Sequence, residues 1–296
     1  MTTSPPRPPR ARSLRLRLPT THLTVAARAW GREGDLPVLA VHGWLDNAAS
    51  FDRLAPLLPG THLVAFDLVG HGLSQHRPPG VAYHFVDWLA DLADVARALG
   101  WTRYVLMGHS LGAGIAALYA GARPEEVRGL VLLDGLGPLS GTADDQPTRV
   151  AQALGERTRL WPRRHPVYAD RATAEKALAE VSGHRNPLTT RLLVARGMRH
   201  VDAGWVWRHD RRVRGGSPMR LSEDHVLAFL RRVTCPTLLV WNDGGFPWDR
   251  DQMRERARAI PHAEVHELPG GHHLHSDEPE AVAPLVRKHL ASLARG

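Results

Sequence analysis

Residues 104–122, YVLMGHSLGAGIAALYAGA, place a serine between two segments of different character. The first four residues are apolar at successive positions, which is typical of a strand buried on both faces of a sheet. From Leu111 onward, small residues predominate and favour a helix packed closely against that strand. Gly108 lies two residues before Ser110 and Gly112 two residues after it, so no Cβ atom at these positions obstructs a sharp turn. The stretch therefore predicts a strand–turn–helix unit from which the Ser110 hydroxyl projects.

The rest of the chain repeats this alternation of short apolar runs and longer helical stretches. Apolar runs predict strands at 37–41, 62–66, 104–107, 130–133, 237–241 and 263–268. Helical spacing of apolar residues lies between them at 85–99, 111–122, 249–259 and 279–293. We therefore predict an α/β fold, with a mostly parallel sheet and helices on both faces. Residues 13–30 alternate apolar and polar positions, which predicts an antiparallel hairpin.

Between Asp134 and Cys235 the alternation of strands and helices stops. This stretch is polar and rich in arginine, and helical spacing recurs at 172–181, 189–196 and 223–232. We expect a core made of residues 19–137 and 220–296, with residues 138–219 inserted as a helical cap. Residues 1–18 are rich in Pro and Arg, and we expect a disordered tail there.

Composition excludes several classes of protein. The chain has 296 residues, 43% of them hydrophobic and 23% charged, as in globular proteins. No apolar run approaches the roughly 18 residues of a membrane span, and the N-terminus lacks the apolar core of a signal peptide. We therefore expect a cytoplasmic protein with no membrane span.

The net charge is +8, but five arginines lie within residues 1–18, and the charge of the remainder is nearly balanced. We expect no nucleic-acid partner, and the sequence indicates no oligomeric state.

Reactive residues follow several of the predicted strands. The carboxyl ends of parallel strands converge on one crevice, so these residues should lie close together. Ser110 is the predicted nucleophile. His272, in the stretch PGGHHLH at 269–275, is the predicted base because imidazole titrates near neutral pH. Three histidines in this stretch could also indicate a metal, but no Asp, Glu or Cys clusters with them, so we expect no metal. A serine nucleophile with a histidine base needs no cofactor, and we expect none.

A second group of residues is expected to surround the reacting carbonyl. A tetrahedral intermediate carries a negative oxygen that needs N–H donors. The backbone N–H groups of Leu111 and of Trp44, in the loop after the strand at 37–41, are the predicted oxyanion hole. We expect His42, Gly43 and His109 to border the substrate, with His42 also holding the loop.

Two choices remain open from the residues alone. Asp134 and Asp243 each follow a predicted strand, and either could orient the imidazole or be a solvated or helix-capping residue. Trp44, Trp205 and Trp207 could line an apolar acyl pocket, or Trp205 and Trp207 could form the core of the cap.

These features resemble the α/β-hydrolase superfamily over residues 20–296. Several stretches resemble its serine hydrolase-like branch more specifically. They are VHGWLDNA at 41–48, GHGLS at 70–74, HRPPG at 76–80, YHFVD at 83–87, RG at 196–197 and HDRR at 209–212. The resemblance implies a Ser-His-Asp triad. Its histidine follows a glycine and precedes by seven residues the proline that opens the last helix, and His272 and Pro279 match this pattern.

The resemblance also bears on the acid. In most of the superfamily the acid lies nine residues after the proline that opens the penultimate strand. Counted from Pro236, that position is Gly245, which carries no carboxylate. Some members take the acid from the end of the preceding core strand. This alternative matches Asp134 and favours it over Asp243.

The expected activity is hydrolysis of an ester-like small molecule (a carboxylester, thioester or lactone) through an acyl-enzyme intermediate. A serine at position 110 excludes the epoxide hydrolases and haloalkane dehalogenases of this fold, which need an aspartate nucleophile. Two alternatives remain: a C–C bond hydrolase with the same triad, and a ligand-binding protein of this fold that catalyses no reaction.

Overall fold

The computed structural model describes residues 11–294, so the disorder predicted for residues 1–10 lies outside the described range. The strands of the described range are β1 (Arg12–Arg17), β2 (Thr24–Trp30), β3 (Leu36–Val41), β4 (Thr61–Phe66), β5 (Tyr104–His109), β6 (Val127–Leu133), β7 (Met198–Val201), β8 (Gly204–Trp207), β9 (Thr237–Gly244) and β10 (Ala263–Gly271). The helices are α1 (Asp87–Ala98), α2 (Leu111–Ala122), α3 (Gln146–Leu160), α4 (Arg171–Ser182), α5 (Pro187–Gly197), α6 (Glu223–Leu230), α7 (Arg250–Ala259), α8 (Leu274–Asp277) and α9 (Pro279–Ala294).

Eight of these strands form the central sheet, in the order β1-β2-β4-β3-β5-β6-β9-β10. The pairs β1–β2 and β2–β4 are antiparallel, and the other pairs are parallel. The predicted hairpin and the mostly parallel sheet are both confirmed. Every predicted core strand lies within about three residues of an observed one, because each apolar run is buried by the sheet and its helices.

The tail boundary at residue 18 differs from the structure. Residues Arg12–Arg17 form β1, which pairs with β2 in the register Leu14↔Ala27 and Leu16↔Val25. The alternating leucines of β1 pack against the core, and this burial orders a segment whose composition predicted disorder.

Two apolar layers sandwich the sheet. On β3, Leu39 and Val41 face the layer that includes α1, α2, α6 and α7, while Val38 and Ala40 face the layer that includes α8 and α9. This two-residue alternation is the normal period of a strand. The prediction of helices on both faces of the sheet is confirmed.

The segment predicted to be a cap contains α3, α4, α5 and the separate β7–β8 hairpin. The helices α4 and α5 match predicted ones, whereas α3 and the hairpin were not predicted. Among the helices of residues 11–294, none combines the length and apolar character needed to cross a bilayer.

Candidate active site

Ser110 lies in a strained turn between β5 and α2. Its backbone has φ +52° and ψ −114°, in a region that residues other than glycine rarely adopt. A Cβ atom at Gly108 would lie 2.3 Å from the carbonyl oxygen of Gly112, and one at Gly112 would lie 2.1 Å from that of Val41. Both glycines are therefore required for the helix to approach the sheet so closely, which holds the partly exposed serine in its turn.

His272 directly follows β10 and bridges Ser110 and Asp134. Its Nε2 lies 2.9 Å from Ser110 Oγ, and its Nδ1 is hydrogen-bonded to Asp134 Oδ2. Burial lowers the pKa of His272 below its usual value, and the hydrogen bond to Asp134 partly opposes this shift. In the neutral ring, Nδ1–H donates to Asp134, so the lone pair of Nε2 faces the serine hydroxyl. This is the geometry that a general base needs.

Asp134 is buried and is held by the end of β9 and the segment that follows it. Its carboxylate accepts hydrogen bonds of 3.2 Å from the backbone N–H groups of Asn242 and Phe246. A Cβ atom at Gly245 would lie only 2.4 Å from Asp134 Oδ2. Gly245 stands where the resemblance places the usual acid. Because it has no side chain, it leaves room for the carboxylate of Asp134, which follows the neighbouring strand β6.

The structure does not bring Asp243 to His272. Its exposed carboxylate accepts a 2.9 Å hydrogen bond from the backbone N–H of Gly270, which lowers the pKa of Asp243. The neighbouring Asn242 is buried whereas Asp243 is exposed, as expected for successive side chains on opposite sides of a strand. Of the two aspartates predicted as alternatives, only Asp134 contacts His272.

The two predicted oxyanion-hole residues, Trp44 and Leu111, come shortly after β3 and β5. Leu111 is the first residue of α2, where backbone N–H groups have no partner within the helix. Trp44 follows β3, and its half-exposed indole donates a 2.9 Å hydrogen bond to the carbonyl oxygen of Val213 in the cap segment. Their role as oxyanion donors stays a prediction.

Two residues expected to border the substrate lie beneath the site instead. The His42 side chain is fully buried: Nδ1 donates to the carbonyl oxygen of Gly43 at 2.7 Å, and Nε2 accepts from the N–H of Leu68 at 3.0 Å. These bonds tie together the loops after β3 and β4. His109 is also buried, and its Nε2 donates to the carbonyl oxygen of His272 at 2.9 Å. Neither side chain is open to a ligand, which corrects the expectation.

Gly43, also expected at the substrate, packs against His109. A Cβ atom at Gly43 would lie 2.8 Å from His109 Nδ1 and 3.1 Å from Asp46 Oδ2. The missing side chain thus keeps the space open on the buried side of this loop.

Trp205 and Trp207 pack within the cap segment. Both lie in β8 and contact an apolar cluster of Ala174, Val194 and Met198. The guanidinium of Arg171 lies 4.1 Å from the Trp205 ring. These contacts agree with the interpretation that the tryptophans form the core of the cap, and they leave the acyl-pocket alternative without a supporting contact.

A buried ion pair that the sequence did not reveal joins the cap segment to the core. Arg196 of α5 donates through Nε to both carboxylate oxygens of Asp67, at 2.9 and 3.1 Å. Asp67 also accepts from the backbone N–H groups of Ala48 and Leu73, both at 2.7 Å. Removing either partner would leave an unpaired charge in the interior. The signals were the position of Asp67 directly after β4 and the RG stretch at 196–197, but the two residues lie too far apart along the chain for a local pattern to pair them.

Comparisons with known proteins agree with this architecture. A family model described as alpha/beta hydrolase fold matches residues 37–279. A serine hydrolase-like protein of Dictyostelium discoideum is 34% identical over 280 residues, which cover 89% of this chain and 77% of that relative.

Two solved structures are also similar. The crystal structure of a hypothetical protein from Pseudomonas aeruginosa PAO1 is 42% identical, with a TM-score of 0.88 and coverage of 96% of this chain and 99% of that one. A thioesterase domain from the curacin biosynthetic pathway is 26% identical, with a TM-score of 0.80 and coverage of 93% and 98%. The chain therefore belongs to the α/β-hydrolase fold family and, within it, to the serine hydrolase-like proteins.

Proposed function

We propose that the protein is a serine hydrolase that cleaves an ester-like bond of a small molecule through an acyl-enzyme intermediate. The observation that carries this proposal is the contact of Ser110 Oγ with His272 Nε2 at 2.9 Å, with His272 Nδ1 bonded to Asp134. A serine hydroxyl is a weak nucleophile, and a neighbouring base held by a third group activates it.

In the acylation step, His272 Nε2 takes the proton from Ser110 as Oγ forms a bond to the substrate carbonyl carbon. The negative oxygen of the tetrahedral intermediate accepts hydrogen bonds from the backbone N–H groups of Leu111 and Trp44. The bond to the leaving group then breaks, and the leaving group takes the proton from His272. Asp134 stabilises the imidazolium without accepting its proton.

In the deacylation step, water takes the place of the leaving group. His272 removes a proton from this water as its oxygen attacks the acyl carbon. The ester bond to Ser110 breaks, and the proton on His272 returns to Oγ. The products are a carboxylic acid and the restored serine, and no cofactor enters this sequence.

The substrate class is supported by two further observations. The half-exposed Phe246 ring lies 5.6 Å from the His272 ring, which favours an apolar group beside the reacting carbonyl. The similarity to a thioesterase domain supports thioesters as well as carboxylesters. We therefore place apolar acyl esters and thioesters first among the substrates.

The experiment pairs a fluorophosphonate probe with p-nitrophenyl esters and acyl thioesters of increasing chain length. We expect labelling and turnover by the wild-type protein and by Ser292→Ala, which removes an exposed hydroxyl on α9. Ser110→Ala should lose both. A folded wild-type protein that neither reacts with the probe nor turns over any ester would contradict the proposal.

This experiment also separates the two alternatives. A C–C bond hydrolase would be labelled by the probe at Ser110 yet would turn over none of the esters or thioesters. A ligand-binding protein without activity would show neither labelling nor turnover.

A further inference from the structure

Three segments around the site bring Asp46, His109 and His273 together in the interior. Asp46 comes from the loop after β3, His109 from the end of β5, and His273 from the segment after β10. Their exposed fractions are 7%, 1% and 7%, so all three side chains are more than nine-tenths buried. Asp46 Oδ2 lies 3.6 Å from His109 Nδ1 and 3.8 Å from His273 Nε2. One potential ligand atom from each residue lies within 4.8 Å of the other two.

The hydrogen bonding of His109 makes this arrangement electron-rich. His109 Nε2 donates to the carbonyl oxygen of His272 at 2.9 Å, so the neutral ring carries its lone pair on Nδ1. That lone pair faces the carboxylate of Asp46. Within residues 11–294, neither His109 Nδ1 nor Asp46 Oδ2 has a hydrogen-bond partner. Two buried acceptors that face each other are unfavourable unless a positive charge, a proton on Nδ1 or a metal ion, lies between them.

The donor set suits one class of cation. Two imidazole nitrogens and one carboxylate oxygen are typical ligands of zinc, which often keeps a fourth position for water. Tetrahedral zinc would place its ligand atoms about 3.4 Å apart. The distances from Asp46 Oδ2 to His109 Nδ1 and to His273 Nε2, 3.6 and 3.8 Å, exceed this value by only a few tenths of an ångström. Gly43 borders the same space, and a Cβ atom there would lie 2.8 Å from His109 Nδ1. The glycine therefore keeps the space between the ligands open.

We propose that Asp46, His109 and His273 bind a divalent transition-metal ion of the zinc class. Such an ion would link the loops that carry Trp44, Ser110 and His272, and so brace the site without contacting the reacting atoms. The sequence led us to expect no metal, because the carboxylate that completes the set lies far from the histidines along the chain. This inference does not depend on the proposed hydrolase activity.

The test measures metal binding directly on the full chain without an affinity tag. Protein stripped with a chelator is dialysed against Zn²⁺ and, separately, against Co²⁺. Elemental analysis then gives the stoichiometry, and visible absorption reports the coordination of Co²⁺. We expect one ion per chain with a tetrahedral Co²⁺ spectrum. At Zn²⁺ concentrations about 100-fold above Kd, the thermal midpoint should rise by about 5 °C.

The variants locate the ion. Asp46→Asn and His273→Gln should each weaken binding at least about tenfold and abolish the thermal shift. Each has a matched control on an exposed residue, Asp144→Asn and His262→Gln, which should bind as the wild type does. The two ligand variants are independent, so one of them still tests the site if the other fails to fold.

A third variant addresses the neighbouring triad. His272→Gln should retain the ion with its affinity changed less than about threefold, because His272 contributes no ligand. Loss of the ion in His272→Gln would place the metal at the triad and overturn the proposal. Binding that is absent, or that survives both ligand variants unchanged, would overturn it as well.

Discussion

His272 and His273 are neighbours in the chain, but their rings have opposite surroundings. Both ring nitrogens of His272 have partners, a serine hydroxyl on one side and a carboxylate on the other. The ring of His273 is turned to the buried side, towards His109 and Asp46. A ring with one donor and one acceptor partner can move a proton, whereas a ring whose nitrogen faces other electron pairs is suited to bind a cation. The partners of each ring, and not its position in the sequence, determine what it can do.

The sharpest test of this contrast is to remove each imidazole in turn. His272→Gln should lower kcat by about 10⁵- to 10⁶-fold, judging from the loss of the base in another triad enzyme. His273→Gln should lower kcat less than about tenfold, because its ring is buried and the hydrogen bond to Ser110 comes from His272. Steady-state kinetics on the best p-nitrophenyl ester measures both. Comparable losses in the two variants would show that the two rings do not have separate roles.

The second comparison concerns the two aspartates that the sequence left open. Asp134→Asn should lower kcat by about 10⁴-fold, since the amide no longer fixes the tautomer of His272. Asp243→Asn should change kcat less than threefold or so, because its carboxylate bonds only to the Gly270 backbone among the described residues. Melting temperatures of both variants control for misfolding. If Asp243→Asn proved the more damaging, the acid would have been assigned to the wrong strand.

A smaller effect is expected where Gly245 makes room for the acid. Gly245→Ala would put a Cβ atom 2.4 Å from Asp134 Oδ2 and displace the carboxylate. A displacement of this size should lower kcat by about 10²-fold. Gly155→Ala is the control, because a Cβ atom at Gly155 has open space around it. The idea that Gly245 accommodates the acid fails if both alanine variants keep full activity.

The smallest expected effect is a shift in the pH profile. His272 must be neutral to accept the serine proton, so kcat/KM should fall as the pH drops through its pKa. Burial lowers that pKa, and the neutral form therefore persists to lower pH than in an exposed histidine. The midpoint of the acid limb should lie below about 6.5. A midpoint clearly above this value would mean that another group controls the reaction or that Asp134 outweighs burial.

The sequence predicted the parts of the fold that arise from local patterns. The apolar runs located the parallel strands, and residues 111–122 matched α2, because burial of whole faces imposes a simple period on the residues. Helix α3 was missed because none of its described side chains is buried, so packing imposes no apolar face on its sequence. The hairpin β7–β8 was missed because its strands have only four residues each.

The site was predictable where a residue is marked by its neighbours in the chain. Ser110 lies between two glycines, and His272 follows a pair of them. The choice between Asp134 and Asp243 was not decidable from the residues, because both follow strands and only the packed sheet fixes which carboxylate reaches the ring. The glycine at position 245 was the available signal. The orientation of His109 depends on contacts with distant segments, so no local pattern revealed it.

The central claim is that Ser110 forms the covalent intermediate, and trapping that intermediate tests it most directly. Wild-type protein is mixed with a p-nitrophenyl ester, quenched in acid within the first turnover, digested and analysed by mass spectrometry. We predict that the acyl group is found on the peptide that contains Ser110, and that Ser110→Ala carries none. An acyl group on another residue, or rapid turnover without any acylated peptide, would contradict the account.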